Sequence, residues 1–289
     1  HHVIDHRQPL AAQIAALGDL AGRTCRALAA FDHPGVDRVL QWDLRHSMRT
    51  VDVLIRHVTD PHRRDAVESA AGAAWRVVAD LADDLPVQVI HGDITGDNVV
   101  CGGPEALPDG LIDFGDLMRS WTVAELAVAV ATLLRHEGFE PATTLAAIQA
   151  FHAVRPLGPA EVEALWPLVV LRAAVLVVSG NHQSSIDAGN DYANSALDSE
   201  WRIFERASAI PLEVMTAQIR HALGVAHPAE SIGGRLIDGP DSADFAVIDV
   251  SAEADAMDGG AWLRPDCEDL LAADALAARP VAGPGLGFF

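Results

Sequence analysis

Two short apolar segments, each followed by polar loop residues, constrain the fold more than any other feature of the sequence. Val87–Ile90 has the composition of a strand, and it leads into His91-Gly92-Asp93-Ile94-Thr95-Gly96-Asp97-Asn98. A second apolar pair, Leu111-Ile112, leads into Asp113-Phe114-Gly115-Asp116. Between them, Val99-Val100 resumes as a short strand, and turn residues that include Pro108-Asp109-Gly110 reverse the chain. We therefore predict small β-hairpins that bring Asp113 beside Asn98.

The residue types in these two loops suit phosphoryl transfer. The pattern His-x-Asp-x-x-x-x-Asn places a carboxylate, Asp93, where it can orient and deprotonate a hydroxyl group, and a carboxamide, Asn98, where it can reach a metal ion. Asp113 supplies a second carboxylate, which we predict to be the main metal ligand. Because Mg²⁺ is a hard cation that prefers oxygen ligands, Asn98 and Asp113 are suitable donors, whereas cysteine or histidine would not be.

The combination of the two motifs is more specific than either motif alone. Each pattern occurs by chance in unrelated proteins. Here both are flanked by apolar, strand-like residues and follow each other in the order that a kinase requires. We interpret His91 as a structural hydrogen-bonding residue and Asp97 as a solvated turn carboxylate. For Asp116, a turn carboxylate and a site residue are both open.

These residues are similar to those of the aminoglycoside phosphotransferase and choline kinase superfamily. Its members share the protein-kinase fold and phosphorylate hydroxyl groups of small molecules. His91–Asn98 and Ile112–Asp116 carry the resemblance, and Glu125-Leu126-Ala127 matches the acidic-Leu-Ala element that follows in that family. The resemblance runs from about residue 8 to residue 222.

Within that superfamily the sequence most resembles the hydroxylysine kinase branch. The segments that carry this closer resemblance are Asp113–Met118, Thr122–Ala127 and Gly138-Phe139-Glu140. It implies Mg²⁺ as cofactor, ATP or GTP as co-substrate with a preference for GTP, and an amino alcohol or amino sugar as acceptor. It also implies Asp93 as the base and Asn98 and Asp113 as the residues that bind the metal and the nucleotide. The residues implied to support the site structurally are His91, Gly115 and Glu125.

The sequence lacks part of the phosphate-binding apparatus of kinases. It contains no lysine, so its basic charge is carried by twenty arginines. In the kinase fold, a lysine on a strand of the N-terminal lobe and a glycine-rich loop hold the nucleotide phosphates. Residues 11–85 are typical of helices rather than of such a lobe. We therefore predict an α+β, mostly helical fold: a protein-kinase-like C-terminal lobe, with small β-hairpins that carry the catalytic and metal loops and with the N-terminal lobe absent.

The last part of the sequence has a different composition. Residues 224–289 hold twelve Asp or Glu against three Arg, and only short apolar runs such as Phe245–Val250. We predict a phosphotransferase lobe over residues 1–223, and over 224–289 an acidic linker with some β structure that starts a following module. This stretch resembles the connector of fusion proteins in which a kinase-like module precedes a peptidase-like module and a class III aminotransferase. The expected partners are then the protein's own N-terminal lobe and the aminotransferase module.

Composition narrows the cellular setting and the ligands. A net charge of −21 argues against a nucleic-acid or anionic-membrane partner and favours cationic, amine-bearing small molecules. Cys25, Cys101 and Cys267 are too widely spaced for a disulfide framework or a metal signature, which suits the cytoplasm. No signal peptide is visible, and the most apolar helix candidates, Val123–Leu134 and Leu165–Val178, are too short or too interrupted to span a bilayer. We predict a cytoplasmic protein.

Apolar periodicity and Pro or Gly punctuation predict the helices. The predicted helices cover Pro9–Phe31, Val36–His46, Met48–Val58, Pro61–Leu85, Thr122–His136, Pro141–Ala153, Pro159–Ser179, Asp187–Ile210 and Pro211–Leu223.

Acidic and aromatic residues after the metal loop are candidates for binding the ammonium group of the acceptor. They are Asn181, His182, Asp187, Asp191, Tyr192, Glu200 and Trp201. A Trp near a helix is more often a packing residue, and exposed polar residues are often only solvated, which is the alternative for each of them. Trp42-Asp43-Leu44-Arg45 is a further cleft candidate. Arg45 or Arg172 could replace the missing lysine as a phosphate ligand, although their spacing does not show it.

Two functions remain in competition at this point. The first is a Mg²⁺-dependent kinase of a small hydroxylated amine, incomplete in this chain, so that the chain alone is expected to have negligible activity. The alternative is a catalytically inactive kinase-like module that binds a metabolite or holds together the domains of a multidomain aminotransferase. The intact set of Asp93, Asn98 and Asp113 favours the kinase, and the missing lysine favours the inactive module. Hydrolysis at a metal-carboxylate site has no further ligand cluster to support it.

Overall fold

Helices make up most of the described chain and the strands are few and short, which confirms the predicted fold class. The computed structural model describes residues 2–3, 11–103, 106–186 and 191–225, with the backbone alone for residues 2–3 and 191–195. The β structure expected after residue 224 falls on 226–289, which lie outside the described residues.

The helices of the described residues follow the predicted order, and most of them are shorter at one or both ends than predicted. The α-helices are α1 Ala11–Leu28, α2 Ser47–Leu54, α3 Pro61–Leu81, α4 Thr122–Leu133, α5 Leu145–Val154, α6 Pro159–Ile186, α7 Asp191–Ser208 and α8 Leu212–Leu223. Single-turn 3₁₀ helices cover Pro34–Val36, Leu44–His46, Ile55–His57, Ala82–Asp84, Phe114–Asp116 and Pro141–Thr144.

The strands form two small antiparallel sheets. They are β1 His2–Val3, β2 Val87–Ile90, β3 Val99–Gly102, β4 Leu107–Leu111 and β5 Met118–Trp121. One sheet has the order β1-β3-β4, and the other pairs β2 with β5. The chain therefore crosses from the second sheet to the first between β2 and β3, and crosses back between β4 and β5. Because both crossings join the same two sheets, the two predicted loops run side by side.

The prediction of a turn at Pro108-Asp109-Gly110 was wrong, because these residues lie inside β4. Proline cannot donate a backbone hydrogen bond, so it is tolerated in a strand only at an edge or a bulge. Both conditions hold here. β4 is an edge strand of its sheet, and the register of its pairing with β3 shifts between Val100 and Cys101.

The prediction of a helix over Val36–His46 was also wrong. The structure has single 3₁₀ turns at Pro34–Val36 and Leu44–His46, with non-helical chain between them. Asp43 explains the difference, because its fully buried carboxylate accepts hydrogen bonds from the Arg45 backbone N–H and from the Ser120 hydroxyl. A side chain that bonds its own neighbouring backbone competes with helical hydrogen bonds.

The centre of the core is α6, whose side chains are buried on all sides over most of its length. By length and composition α6 could cross a membrane, contrary to the expectation that this segment was too short or too interrupted, but 89% of its most apolar window is buried within the protein. A helix that is apolar all round and packed on all sides is typical of a protein core. Helices α2, α3, α4, α7 and α8 pack around it, whereas α1 packs on α4 and α5 and the β2–β5 sheet packs on α1 and α4.

A close approach between two helices holds the first helix in place. A Cβ atom added to Gly18 of α1 would lie 1.9 Å from the carbonyl oxygen of Ala147 in α5. Only glycine permits the two backbones to come so near. This contact joins the start of the described chain to helices that follow the two loops.

Candidate active site

The loop of residues 91–98, which was predicted to be catalytic and is called the catalytic loop below, begins where β2 ends. It is anchored by a buried carboxylate. Glu125, in the first turn of α4, accepts hydrogen bonds from the backbone N–H groups of His91 at 2.5 Å and Gly92 at 3.1 Å. The ring Nε2 of His91 lies 3.1 Å from the carbonyl oxygen of Ile112. The structure thus places His91 and Glu125 in contacts that fix the loop.

Burial changes the acidity of this anchor. Desolvation raises the pKa of Glu125 to about 7, although the two backbone N–H donors lower it, and the nearby charge of Asp93 raises it further. Its contribution to the stability of the loop therefore varies with pH.

Asp93 and Asn98 lie against each other across the loop. Asn98 Nδ2 donates to Asp93 Oδ2 at 2.8 Å and to the Asp93 carbonyl oxygen at 3.0 Å. The other carboxylate oxygen of Asp93, Oδ1, accepts a hydrogen bond from Arg172 Nη2 at 3.1 Å. The Asp93 side chain is 30% exposed, whereas that of Arg172 is 4% exposed. Because the amide nitrogen of Asn98 donates to Asp93, its amide oxygen could serve as a ligand for a cation.

The loop of residues 112–117, which was predicted to bind the metal and is called the metal loop below, carries Asp113 in an unusual backbone conformation. Asp113 has φ 59° and ψ 70°, in the left-handed region, which aspartate tolerates better than most residues. Its Oδ1 accepts a hydrogen bond from the backbone N–H of Gly115 at 3.2 Å, and the residue is exposed. Non-glycine residues held in this conformation are found preferentially at functional sites.

The two loops touch through several groups. The backbone N–H of Ile112 donates to the carbonyl oxygen of Asn98 at 3.0 Å. The rings of His91 and Phe114 meet edge to face, with centroids 4.9 Å apart. A Cβ atom added to Gly92 would lie 3.4 Å from the carbonyl oxygen of Asp116. The sequence order of the strands therefore brings the loop with Asp93 and the loop with Asp113 together, as the spacing predicted.

The donors in these loops match the needs of a magnesium ion better than those of a transition metal. In the described part of the chain no group of three or more His, Cys, Asp or Glu could hold a metal. Mg²⁺ requires no such cage, because it is usually bound by one or two carboxylates, water and the phosphates of a nucleotide. One carboxylate, Asp113, and the amide oxygen of Asn98 suffice for that mode of binding.

An arginine pair ties the metal loop to the segment before α2. The guanidinium of Arg38 donates to the carbonyl oxygen of Gly115. Arg119, in β5, donates to Asp37 at 2.8 Å and to Asp32 at 2.5 Å. Sequence reasoning missed these contacts, because they join residues about eighty positions apart in exposed segments without a recognisable motif. Through the bond from Arg38 to Gly115, the metal loop is also held by a residue outside the β-hairpins.

Two of the residues predicted to bind the acceptor, Asn181 and His182, contact neighbouring residues of the protein. Asn181 Nδ2 donates to the Val177 carbonyl oxygen at 2.8 Å, within α6. The His182 ring packs on that of His57, with centroids 4.5 Å apart.

The aromatic ring of Trp201 already has a cation beside it. The guanidinium carbon of Arg63 lies 4.5 Å from the centroid of the ring. Asp187 lies outside the described residues, and of Asp191 and Tyr192 only the backbone is described. The contacts described for Asn181 and Trp201 are thus with Val177 and Arg63, and neither residue has a hydrogen bond to Asp93 among the described residues.

Arg172 was a candidate in the sequence, but its contact with Asp93 was not foreseen. Arg172 carries its charge into the core helix α6, where desolvation lowers the pKa of the guanidinium and the charges of Asp93, Asp116 and Glu200 raise it. The signal was present in the sequence as a single arginine inside the long apolar run of α6. Asp116 is thus close enough to the site to act on Arg172.

Arg45 does not fit the suggested role of a phosphate ligand. Its guanidinium bonds both carboxylate oxygens of the buried Asp43: Nε donates to Oδ1 at 3.2 Å, and Nη2 donates to Oδ2 at 2.7 Å. Asp43 also receives the Ser120 hydroxyl at 2.7 Å. The Asp43–Arg45 pair therefore joins the 3₁₀ turn before α2 to β5.

Comparison with known proteins agrees with this geometry. The model of the phosphotransferase enzyme family (APH) matches residues 2–165, which include both loops. A homoserine kinase from Gluconobacter oxydans is 37% identical over 105 residues, which are 36% of this chain and 31% of that enzyme. The chain thus spans about a third of the length of this curated relative.

Solved structures share the fold at low sequence identity. An aminoglycoside phosphotransferase from Alicyclobacillus acidocaldarius superposes with a TM-score of 0.55 at 16% identity, over 73% of this chain and 68% of that one. A microcompartment-associated aminopropanol kinase superposes with a TM-score of 0.53 at 16% identity, over 70% of this chain and 62% of that one. With its family match over more than half of its length, the chain belongs to the phosphotransferase enzyme family.

Proposed function

We propose that the protein is a small-molecule kinase, which transfers the γ-phosphoryl group of a nucleoside triphosphate to a hydroxyl group of a small amine-bearing metabolite. The observation that carries this proposal is the contact between the two loops, which places Asp93 and Asn98 beside the loop of Asp113. The relatives named as kinases of homoserine and of aminopropanol support an acceptor with an amine and a hydroxyl group.

In the proposed step, Asp93 orients the acceptor hydroxyl and takes its proton. The hydroxyl oxygen forms a bond to the γ-phosphorus, and the bond from that phosphorus to the bridging oxygen of the β-phosphate breaks. The leaving group is a nucleoside diphosphate. The protein forms no covalent bond to the phosphoryl group in this step. Alignment of the reactants and neutralisation of charge therefore supply most of the rate acceleration. Asp93 is accessible for this role through its 30% exposed side chain.

Asn98 and Asp113 are the proposed ligands of a magnesium ion. When bound, the ion neutralises negative charge on the nucleotide phosphates. The exposed position of Asp113 supports this assignment, because phosphates and water complete the coordination of Mg²⁺. The choice between ATP and GTP rests on the resemblance to the hydroxylysine kinase branch, which favours GTP.

The wider context of the chain is a proposal on the same footing. The phosphate-binding lysine and glycine-rich loop would lie in an N-terminal lobe of the full protein, since the sequence here contains no lysine. Residues 1–223 would form the kinase-like lobe, and 224–289 an acidic linker towards a class III aminotransferase module. The sequence resemblance to such fusion proteins and the change in composition after residue 223 support this arrangement. A cytoplasmic location is proposed with it.

A catalytically inactive module is the second candidate. The observation that favours it is that both carboxylate oxygens of Asp93 are already occupied, one by Arg172 and one by Asn98. If these bonds persisted in the complete protein, the carboxylate would be a structural ion pair. Phosphoryl transfer distinguishes the two candidates.

The experiment is a phosphorylation screen with the full-length protein. Amino alcohols, hydroxylated amino acids and amino sugars are incubated with Mg²⁺ and either ATP or GTP, and nucleoside diphosphate release is measured. A kinase gives acceptor-dependent release with at least one class of acceptor and none when Mg²⁺ is chelated. If the nucleotide binds but no class of acceptor causes release of nucleoside diphosphate, the inactive module is the better account.

A further inference from the structure

We propose that Arg172 is a positioning residue for Asp93. From inside the core it holds the carboxylate of the proposed base in its working orientation, and it does not contact the substrates itself. This inference rests on the proposed kinase function and deepens it, because Arg172 belongs to neither of the two loop motifs.

The first observation is that Arg172 is buried while the group it holds is accessible. Arg172 lies in α6, the central helix of the core, and its side chain is 4% exposed. Its Nη2 donates to Asp93 Oδ1 at 3.1 Å. The Asp93 side chain is 30% exposed. A substrate can therefore reach the carboxylate, whereas the guanidinium acts on the site through that carboxylate.

The second observation is that both sides of the contact are fixed. The guanidinium carbon of Arg172 lies 5.3 Å from the centroid of the Trp42 ring, within the range of a cation–π contact, and Trp42 packs against the core. On the other carboxylate oxygen of Asp93, Asn98 Nδ2 donates to Oδ2 at 2.8 Å. The last side-chain torsion of an aspartate has a broad preference. A donor on each oxygen removes that freedom.

These two hydrogen bonds orient the carboxylate without blocking it. A carboxylate has about four acceptor sites in all, shared between its two oxygens. Arg172 uses one site on Oδ1 and Asn98 uses one site on Oδ2. A hydroxyl group can therefore still donate to either oxygen of Asp93.

Stability does not explain why an arginine occupies this position. Desolvation of a charged group in a core is unfavourable, and a single ion pair often does not compensate for it. Nη1 of Arg172 is also buried and has no hydrogen-bond partner among the described residues, which adds to the unfavourable free energy. A methionine would fill the space without either penalty. Residues that break such rules are expected at functional sites.

Arg155 provides a contrast, because its ion pair has the opposite character. Its Nη1 lies 2.5 Å from Oε1 of Glu161, whose side chain is 2% exposed. Removal of Arg155 would leave an unpaired charge in the core, which is strongly destabilising. Removal of Arg172 would leave Asp93, which water can reach. We therefore expect Arg155→Met to act on stability and Arg172→Met to act on turnover.

The kinetic test uses the full-length protein with Mg²⁺, ATP or GTP, and the acceptor that the phosphorylation screen finds to react fastest, beginning with homoserine. Arg172→Met should lower kcat by roughly a hundredfold, the effect that a misplacement of about 1 Å can have. The KM values for nucleotide and acceptor should each change by less than about threefold, since a group without substrate contact does not contribute to binding. Arg172→Lys keeps a charge and a donor, and should recover part of the loss.

A double substitution tests whether Arg172 acts through the base. When Asp93→Asn is already present, we expect Arg172→Met to lower kcat by less than about threefold more, because the carboxylate that it orients is gone. A residue that contacted a phosphate or the acceptor directly would cause its loss in both backgrounds.

The stability test does not depend on activity. Amide hydrogen exchange of peptides from α6, followed by mass spectrometry, reports on the stability of this lobe within the full-length protein. Arg172→Met should leave the exchange rates within about threefold of the wild type or slow them. Arg155→Met should raise them by at least about tenfold while keeping kcat within about threefold.

The outcomes separate this inference from the proposed function. A kcat of Arg172→Met within a few-fold of the wild type, a rise in either KM that accounts for the loss, or an undiminished loss when Asp93→Asn is present would overturn the inference and leave the kinase function intact. Exchange of α6 accelerated as in Arg155→Met would also overturn it, because the arginine would then be structural. A wild type that phosphorylates no acceptor would reject the kinase function, and the inference with it.

Discussion

The catalytic loop and the metal loop lie side by side but are held in different ways. In the catalytic loop, His91 is fully buried, and its backbone and that of Gly92 are bonded by the carboxylate of Glu125. In the metal loop, Asp113 is exposed and has a left-handed backbone, and Phe114 is 49% exposed. The catalytic loop is part of the core, whereas the metal loop is a surface segment with bonds at a few points.

The difference indicates which part of the site is complete in this lobe. A base must be held within a few tenths of an ångström of its working position, and buried hydrogen bonds provide that constraint. A magnesium ligand shares its ion with phosphates and water, so its own support is less critical. We infer that the lobe prepares the proposed base in advance and that the geometry of the metal loop is completed by the nucleotide.

The largest effect that would test this comparison is the loss of the anchor of the catalytic loop. Glu125→Ala leaves two buried backbone N–H groups without their acceptor, and we expect the free energy of unfolding to fall by about 3 kcal/mol. Urea unfolding followed by circular dichroism measures it. Glu68→Ala, at an exposed position of α3, is the control and should change little. Equal effects of the two substitutions would mean that the anchor has no special role.

The next effect is the pH dependence that the same residue confers. The pKa of Glu125 is raised from its ordinary value of 4.5 to about 7, so the folded state keeps a proton that the unfolded state loses between these values. This contribution is fully present below the unfolded pKa and is lost as the pH rises through the folded pKa. We expect the free energy of unfolding of the wild type to fall by about 2 kcal/mol more than that of Glu125→Gln between about pH 5 and pH 8.

The comparison with Glu125→Gln is needed because a second group titrates in the same range. The pKa of Glu200 is also raised to about 7, and this group is present in both proteins. Its contribution therefore cancels in the difference. Parallel curves for the two proteins would show that Glu125 ionises in the folded state as it does in the unfolded chain.

The smallest effect concerns the backbone of the metal loop. Asp113 has φ 59°. In this conformation an alanine has a backbone energy about 1 kcal/mol higher than in its preferred conformation, whereas a glycine has no such penalty. We expect Asp113→Gly to leave the free energy of unfolding within about 0.5 kcal/mol of the wild type, and Asp113→Ala to be about 1 kcal/mol less stable than Asp113→Gly. Equal stability of the two variants would show that the left-handed conformation is not maintained in solution.

The sequence predicted the two loops because their chemistry is local. Strand-like residues, glycines and the spacing of Asp93, Asn98 and Asp113 occur within one short segment, and the structure brings the two loops into contact. The failures arose where tertiary contacts overrode local preference. Asp43 bonds Ser120 rather than allowing a helix, and Pro108 is accepted because β4 is an edge strand with a bulge beside it.

The acceptor side of the site was harder to predict for the same reason. Asn181, His182 and Trp201 were plausible from their residue types, but their contacts are with Val177, His57 and Arg63. The contact of Arg172 with Asp93 joins residues 79 positions apart, on a helix and a loop. No local pattern encodes such a pairing, although a lone arginine in an apolar helix marks a residue that needs a partner.

The most direct test of the central claim is phosphoryl transfer by the full-length protein with Asp93 replaced. Asp93→Asn should lower turnover by roughly a thousandfold, because the acceptor hydroxyl loses its base, while nucleotide binding stays close to that of the wild type. Asp97→Asn, in the same loop, is the matched control and should keep turnover within a few-fold. Turnover of Asp93→Asn within a few-fold of the wild type would contradict the assignment of Asp93 and the account built on it.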